Sequence, residues 1–436
     1  MDISSHVKYQ LAISVDRLLL TESAGKESCC IFRIPDSLSK VNPEAYKPKV
    51  VSVGPYHYGD KLLKMIQEHK PRFLKLFLSN AKKKAVEEKD LFEAVAALEE
   101  KVRNSYSEGL RQISNELVYM MILDGCFILM LILIFSKSTE LLDKEDPVFK
   151  VPWILPAIRS DLLLLENQVP FIVLQTLMKV SKIGVFDDLN TMAVHFFFPD
   201  RPERHLEKCR NFEGKHLLDL IRMSFAPSTR PSITPSMRSE PPKDSTSDLI
   251  LPAKRLRLQG IKFRLISDAD SILDIRLKDN MLQIPLLRLD ESISSIFLNC
   301  VAYEQFYSQS TNDITSYMYF MGCLLKGEED AAFLSNDKQI IENYFGSESE
   351  VSQFFKDICK GVNFDMSRSY LRCVFLGVNL YTSKQSNRVW AGFKHTHFES
   401  PWTCLSSFAV VFALLLTILQ ATFAVMSYLN DKKAAD

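Results

Sequence analysis

The chain has 436 residues, 47% hydrophobic and 24% charged, which is enough for a large folded body and too apolar for a disordered one. Its 53 basic and 53 acidic residues cancel, so net charge argues neither for a nucleic-acid partner nor for an acidic one. Nine scattered cysteines without a Cys-X-X-Cys pair fit free thiols in a reducing compartment better than a disulfide framework or a zinc site.

Residues 1–28 read as a variable extension. No basic region precedes a long apolar run there, so no secretory signal is expected, and the chain contains no Asn-X-Ser/Thr sequon. The first half of the body, residues 29–223, opens with CIFRIPDSLSKVNPEAYKPKVVSVGPYHYG from Cys30. Ile31, Ile34, Val50, Val51 and Val53 predict short extended pieces between proline and glycine turns. Over residues 60–79, Leu62, Met65, Ile66, Leu74, Phe77 and Leu78 have the spacing of a buried helix face, with Pro71 kinking or restarting it. Leu91, Val95, Leu98 and Val102 predict one amphipathic helix within residues 81–108, with Lys82–Lys84 solvated.

Residues 117–135, LVYMMILDGCFILMLILIF, are long and apolar enough to cross a membrane, but Asp124 sits near their middle. A charge at the bilayer centre costs a few kcal/mol on insertion scales, so a buried helix with Asp124 paired inside the body is expected. Next comes DLLLLENQVPFIVLQTL, residues 161–177. Four leucines leave no polar face, and Pro170 breaks the run. The pattern predicts two buried helices joined at residues 166–169, with polar side chains satisfying the exposed ends. Glu166 is the residue there that can instead be a functional carboxylate.

Residues 224–248 change to Pro, Ser and Thr and read as a disordered loop. The second half of the body, residues 249–398, shows apolar alternation on either side of Lys278-Asp279-Asn280, which predicts a β-hairpin. Asp290 and Ser347 are predicted helix N-caps, with Gly361 closing the second helix. The fold expected is mainly α-helical, α+β with a small hairpin component.

No charged residue occurs from Ser400 to Asn430. Residues 402–428 predict a single transmembrane helix, long enough for a ~30 Å hydrocarbon core, with Trp402 and Tyr428 at interfacial positions. Residues 429–436 form a short tail. A body in the cytosol and a single span through an unspecified membrane are the expected arrangement. Ala409, Ala413, Thr417 and Ala421 recur every four residues, a spacing that lets two such helices approach closely, so homo-oligomerisation through the span is a hypothesis.

Catalytic spacing is sparse. There is no phosphate loop, GxGxxG, GxSxG or HExxH, and no cofactor is expected. The loop Gly54-Pro55-Tyr56-His57-Tyr58-Gly59 is the most site-like, since a histidine between glycines can bind an anion or move a proton. His395-Thr396-His397 has a chelating pair but suggests no third ligand. Lys254 to Arg264 is the most basic stretch and a candidate contact for anionic lipid or nucleic acid, although Leu256, Leu258, Ile261 and Phe263 interleave it as in a half-buried element and the neutral net charge adds no support for nucleic acid.

Taken together, the Cys30–Gly59 segment, LDGCF at Leu123–Phe127, DLLLLENQVPF at Asp161–Phe171, QGIKF at Gln259–Phe263, IPLLRLD at Ile284–Asp290, VAYEQ at Val301–Gln305 and PWTCLS before the span resemble the plant DUF247 (UPF0481) family over residues 29–428. The resemblance implies a plant protein, usually with a C-terminal single-pass segment, in a family some of whose members are associated with self-incompatibility. It implies Pro55, His57, Gly59, Asp124, Glu166, Asn167, Gln168 and Pro170 as structural motif residues and supplies no catalytic residue. This chain departs from the family pattern at Tyr58, where a second histidine is usual, and at Lys254–Leu256, where an acidic residue is common. Two functional readings follow: a membrane-tethered, non-enzymatic partner of an unknown protein or peptide, or an enzyme using His57, Asp124 and Glu166 should they converge.

Overall fold

The computed structural model describes residues 28–39, 42–137, 146–183, 189–227, 249–267, 269–383 and 401–435. The lead-in before Ser28, residues 228–248 of the Pro/Ser/Thr-rich stretch and the His395–His397 pair lie outside the described residues. What is described is mainly α-helical with a minor β component.

Helices α1 (Lys70–Lys82), α2 (Glu88–Ala96) and α3 (Glu99–Asn104) precede the long helix α4 (Ser114–Lys137). A helix apolar on all sides needs cover on all sides. Here α1, α2, α6 (Phe171–Ser181) and α7 (Leu189–Phe197) provide it, while α5 (Ile154–Asp161) leads into α6 through an irregular segment. Gly125 lets α6 come close: a Cβ there would lie 2.5 Å from Leu177 Cδ1.

Past α8 (Leu217–Ser224) and α9 (Ala253–Leu258), strands β1 (Lys262–Ile266), β2 (Arg276–Lys278) and β3 (Met281–Pro285) form a small sheet in the order β1-β3-β2. The predicted hairpin is β2–β3, antiparallel, turning at Asp279 with φ +56. β1 adds to β3 in parallel. β4 (Leu287–Leu289) leaves the hairpin to pair in parallel with β5 (Ile341–Asn343). Asp290 then caps α10 (Glu291–Phe306) by accepting from the Ile293 N–H. This helix packs on α5, α8 and α11 (Asp313–Leu324). Ser347 caps α12 (Glu348–Ile358) through the Glu350 N–H, and α13 (Arg372–Ser383) follows. One apolar cluster runs from Cys29 to Val378, on both sides of the Pro/Ser/Thr-rich stretch. Helix α14 (Pro401–Ala435) contains Phe408–Ser427, which is long and apolar enough to cross a membrane and has no buried residue in its most apolar window.

Four local expectations are corrected. Leu162–Leu165 are buried but not helical: α5 ends at Asp161, and residues 162–170 are irregular. The helix predicted over 81–108 is split, because α1 runs to Lys82 and a break at Ala97–Leu98 separates α2 from α3. Leu62 and Met65 are exposed and Leu63 is buried instead, while Ile66 is buried as expected; a tight turn at Lys61–Leu63 shifts the helical phase ahead of it. Val50–Val53 pair with side chains rather than with strands, while Ile31 makes a single bridge to Tyr106.

Candidate functional site

The site-like loop Gly54–Gly59 and the ENQVP segment lie against each other, and the polar residues between them do the work of a missing sheet. Asp161 ends α5 with its carboxylate accepting from the N–H groups of Lys49, Val50 and Val51 at 2.7–3.0 Å. Burial raises its pKa, against those donors and Lys49. Asn167, fully buried, accepts from the Val53 N–H (2.6 Å) and donates to the carbonyls of Val51 and Asp161. The Gln168 amide donates to the carbonyls of Leu162 and Leu164, and its oxygen accepts from the Leu218 N–H at 3.3 Å. Buried backbone must be paired somewhere. These side chains supply the pairing, which lets four leucines sit in the core without a helix.

Gly54 is where the two segments touch most closely. Its φ is +70, and a Cβ would stand 2.4 Å from the Gln168 carbonyl oxygen, so both conformation and space demand glycine. Tyr106 donates to that same carbonyl at 2.9 Å. The Gly54 N–H donates to Asp124 at 2.8 Å, and the other Asp124 oxygen pairs with Lys70 Nζ. Lys70 is fully buried; burial lowers its pKa while Asp124 works to raise it. Lys70 also donates to the Ser52 carbonyl.

The outer rim of this seam holds His57 and Glu166, 3.3 Å apart. Glu166 accepts from the Ile34 N–H at 2.7 Å and pairs with Arg33 at 3.2 Å. Burial opposes its charge, but His57, Ile34 N–H and Arg33 together hold its pKa below the usual carboxylate range. Arg33 lies over the Tyr56 ring and also reaches Glu108. Pro55 is buried; Gly59, at φ +85, and Tyr58 are exposed. Pro170 precedes α6 as its N-cap. His57 and Glu166 therefore meet, whereas Asp124 lies in the interior and shares no partner with them.

A second polar cluster docks the start of the body onto α8 and α10. His216 Nδ1 accepts from the Asp219 N–H (3.3 Å), which places the imidazole proton on Nε2, and Nε2 donates to the Cys30 carbonyl (3.0 Å). Burial pushes this histidine down to about 4. Glu304 accepts from Ile314 N–H and from the N–H and hydroxyl of Thr315, and faces Arg222 at 3.5 Å. Burial pushes its carboxyl up to about 7, against Arg222 and these donors. Arg222 pairs with Asp219 at 2.9 Å.

Sequence reasoning did not single out Arg33, Lys70, Tyr106, Asn299 or His216. Lys70 has the one readable signal, an isolated lysine directly before the helix-starting Pro71, and even that does not announce burial. Asn299 accepts from the Leu165 N–H and donates to the Ala45 carbonyl 254 residues away, a link with no local signature. Beside it opens a groove of about 660 Å³ between the Asn42–Lys49 segment, Pro156–Asp161, the start of α10 and Phe345–Ile358. The basic stretch is folded into α9 and β1: Lys254 pairs with Glu329, Arg257 with Asp337, and Leu256, Ile261 and Phe263 are buried. Among the described residues no group of three or more His, Cys, Asp or Glu is placed to hold a metal, and eight described cysteines are free.

Residues 31–416 match a family model, DUF247, described as plant protein of unknown function. The chain is 60% identical over 446 aligned residues to UPF0481 protein At3g47200 of Arabidopsis thaliana, covering 99% of this chain and 93% of that protein. It is 22% identical over 230 residues to putative UPF0481 protein At3g02645 of the same plant, covering 49% of this chain and 41% of that one. No solved structure matches.

Proposed function

The chain belongs to the DUF247 (UPF0481) family of plant proteins, and from that premise we propose that it is a non-enzymatic interaction protein held at a membrane by its last helix. The observation that carries this reading is Phe408–Ser427, a helix of twenty residues without a charge and without cover. At 1.5 Å per residue it is about as long as the ~30 Å hydrocarbon core is thick. Left in water it would be an apolar surface far beyond what a soluble monomer tolerates.

The non-enzymatic part rests on how the motif residues are used. Asp124, Asn167 and Gln168 are occupied by backbone groups and by Lys70, and Asp124 does not join His57 and Glu166 in one open cleft. The groove beside Asp161 offers a peptide partner a concave face. Free cysteines support a cytosolic body. Self-association through Ala409, Ala413, Thr417 and Ala421 is part of the proposal.

Carbonate extraction of membranes, followed by protease treatment of intact vesicles, tests it. Retention in the pellet with digestion of the body is expected. Release by carbonate would overturn the anchor. Protection of the body would place it in a lumen or outside the cell and turn the reading towards surface recognition.

A further inference from the structure

Six described arginines lie against aromatic rings. Arg33 pairs with Glu166, Arg72 with Asp146, Arg222 with Asp219 and Arg257 with Asp337, while Arg201, between Phe198 and Phe225, donates to Ser224. Arg159 is the exception. Its guanidinium carbon sits 4.5 Å from the Phe135 ring centre and 4.7 Å from that of Phe196. The two rings are nearly perpendicular, so they hold the group in a corner. Nε and Nη2 are screened from solvent and have no hydrogen-bond partner among the described residues. Burial lowers the pKa of Arg159. A cation held this way without a counter-charge is a standing cost to the fold. Contact with a ring face offsets it only in part.

Two further screened polar atoms on the neighbouring helices lack a hydrogen-bond partner among the described residues. One is Nδ1 of His195, whose ring centre is 5.5 Å from that of Phe135, and the other is Oγ of the adjacent Ser136. The residues come from three elements, the end of α4, the last turn of α5 and the end of α7. Nη1 is not among the screened atoms and has no hydrogen bond among the described residues, so it gives an approach from solvent. A guanidinium presents paired N–H donors whose spacing matches two oxygens of a carboxylate or phosphate.

We propose that Arg159, clamped between Phe135 and Phe196, is the binding site for an oxyanion of an acidic ligand, a carboxylate or a phosphate group. The site goes beyond the tethered-partner reading and does not rest on the membrane anchor.

The full chain in detergent micelles tests this by thermal unfolding and isothermal titration with sodium phosphate and with sodium acetate, against sodium chloride at matched ionic strength. At least one anion is expected to bind saturably and raise the unfolding temperature. R159M is expected to abolish both signals. R159K, which keeps the charge but loses the paired donors, is expected to weaken binding at least tenfold, and it carries the test if R159M does not fold. A response to phosphate alone assigns a phosphorylated ligand, and a response to acetate assigns a carboxylate. The proposal is overturned if neither anion stabilises the wild type over chloride. It is equally overturned if the variant that folds responds as the wild type does, since the ion would then be adventitious and bound elsewhere.

Discussion

Helix α4 and the Phe408–Ser427 stretch of α14 have nearly the same length and apolar content, and their surroundings are opposite. Of the most apolar window in α4, 89% is buried in the body; of that in α14, none is. The difference lies in what interrupts each run. In α4 the interruptions have partners: Asp124 meets Lys70 and the Gly54 N–H, and Gly125 gives Leu177 its place. In α14 the two threonine hydroxyls of the span close on their own helix, Thr417 donating to the Ala413 carbonyl at 2.8 Å and Thr422 to that of Leu419. Hydropathy measures how strongly a helix avoids water. Its few polar and small residues decide whether protein or lipid takes the place of that water.

The comparison can be broken hardest at Asp124. D124A leaves Lys70 charged in the core and is expected to cost about 3–5 kcal/mol in urea unfolding, while K70M/D124L recovers most of that loss. Retention of full stability by D124A would mean that the pair does not hold α4 in the body.

Acid should also separate the two regions. His216 is pushed down to about 4 from its ordinary 6.5, so the unfolded chain takes up its proton first. Its contribution to stability is complete above pH 6.5 and is lost as pH falls towards 4, amounting to up to about 3 kcal/mol. Glu304 acts in the opposite sense: raised to about 7, it favours the folded state below about pH 4.5 and loses that contribution as pH rises through 7. H216Q should therefore make the slope of stability against pH more negative between 4 and 6.5, and an unchanged slope would remove His216 from the account. On the proposed anchoring by α14, sedimentation of the chain with membranes over the same pH range should not follow this titration.

A smaller effect is expected at Gly125. G125A adds a Cβ against the movable end of Leu177 while improving helix propensity, for a net loss of about 1–2 kcal/mol. Smallest of all, A413L/T417L should leave body unfolding unchanged and lower dimerisation of the isolated span; unaltered dimerisation would show that the stripe is not a contact face.

Local features were legible in the sequence. The caps at Asp290 and Ser347, the hairpin turn at Asp279 and the restart at Pro71 each depend on a few neighbouring residues, and the structure places them where the pattern does. The interior position of Asp124 also followed from its chemistry. What was not legible depends on residues far apart in the chain. Leu162–Leu165 read as helix because nothing local says that Asn167 and Gln168 will take the carbonyls of Asp161, Leu162 and Leu164. The β4–β5 pairing joins segments 54 residues apart. Lys70 reads as a surface lysine until Asp124 and Ser52 are brought to it. His57 and Glu166 could be named as candidates, but Arg33, which joins His57 and the Ile34 N–H in lowering the pKa of Glu166, could not.

The order of synthesis gives the cover of α4 one more consequence. Two of its covering helices, α6 and α7, and the Asn299 link to Ala45 all follow it in the chain. While the ribosome is still making them, α4 has only the preceding helices, chiefly α1 and α2, to cover it and leaves an apolar face of the kind that membrane-insertion machinery accepts. The carboxylate of Asp124 at its middle then acts as a toll of a few kcal/mol against entering the bilayer too early. In a cell-free translation with microsomes, a D124L chain should begin to insert at α4, a crossing not expected of the wild-type chain.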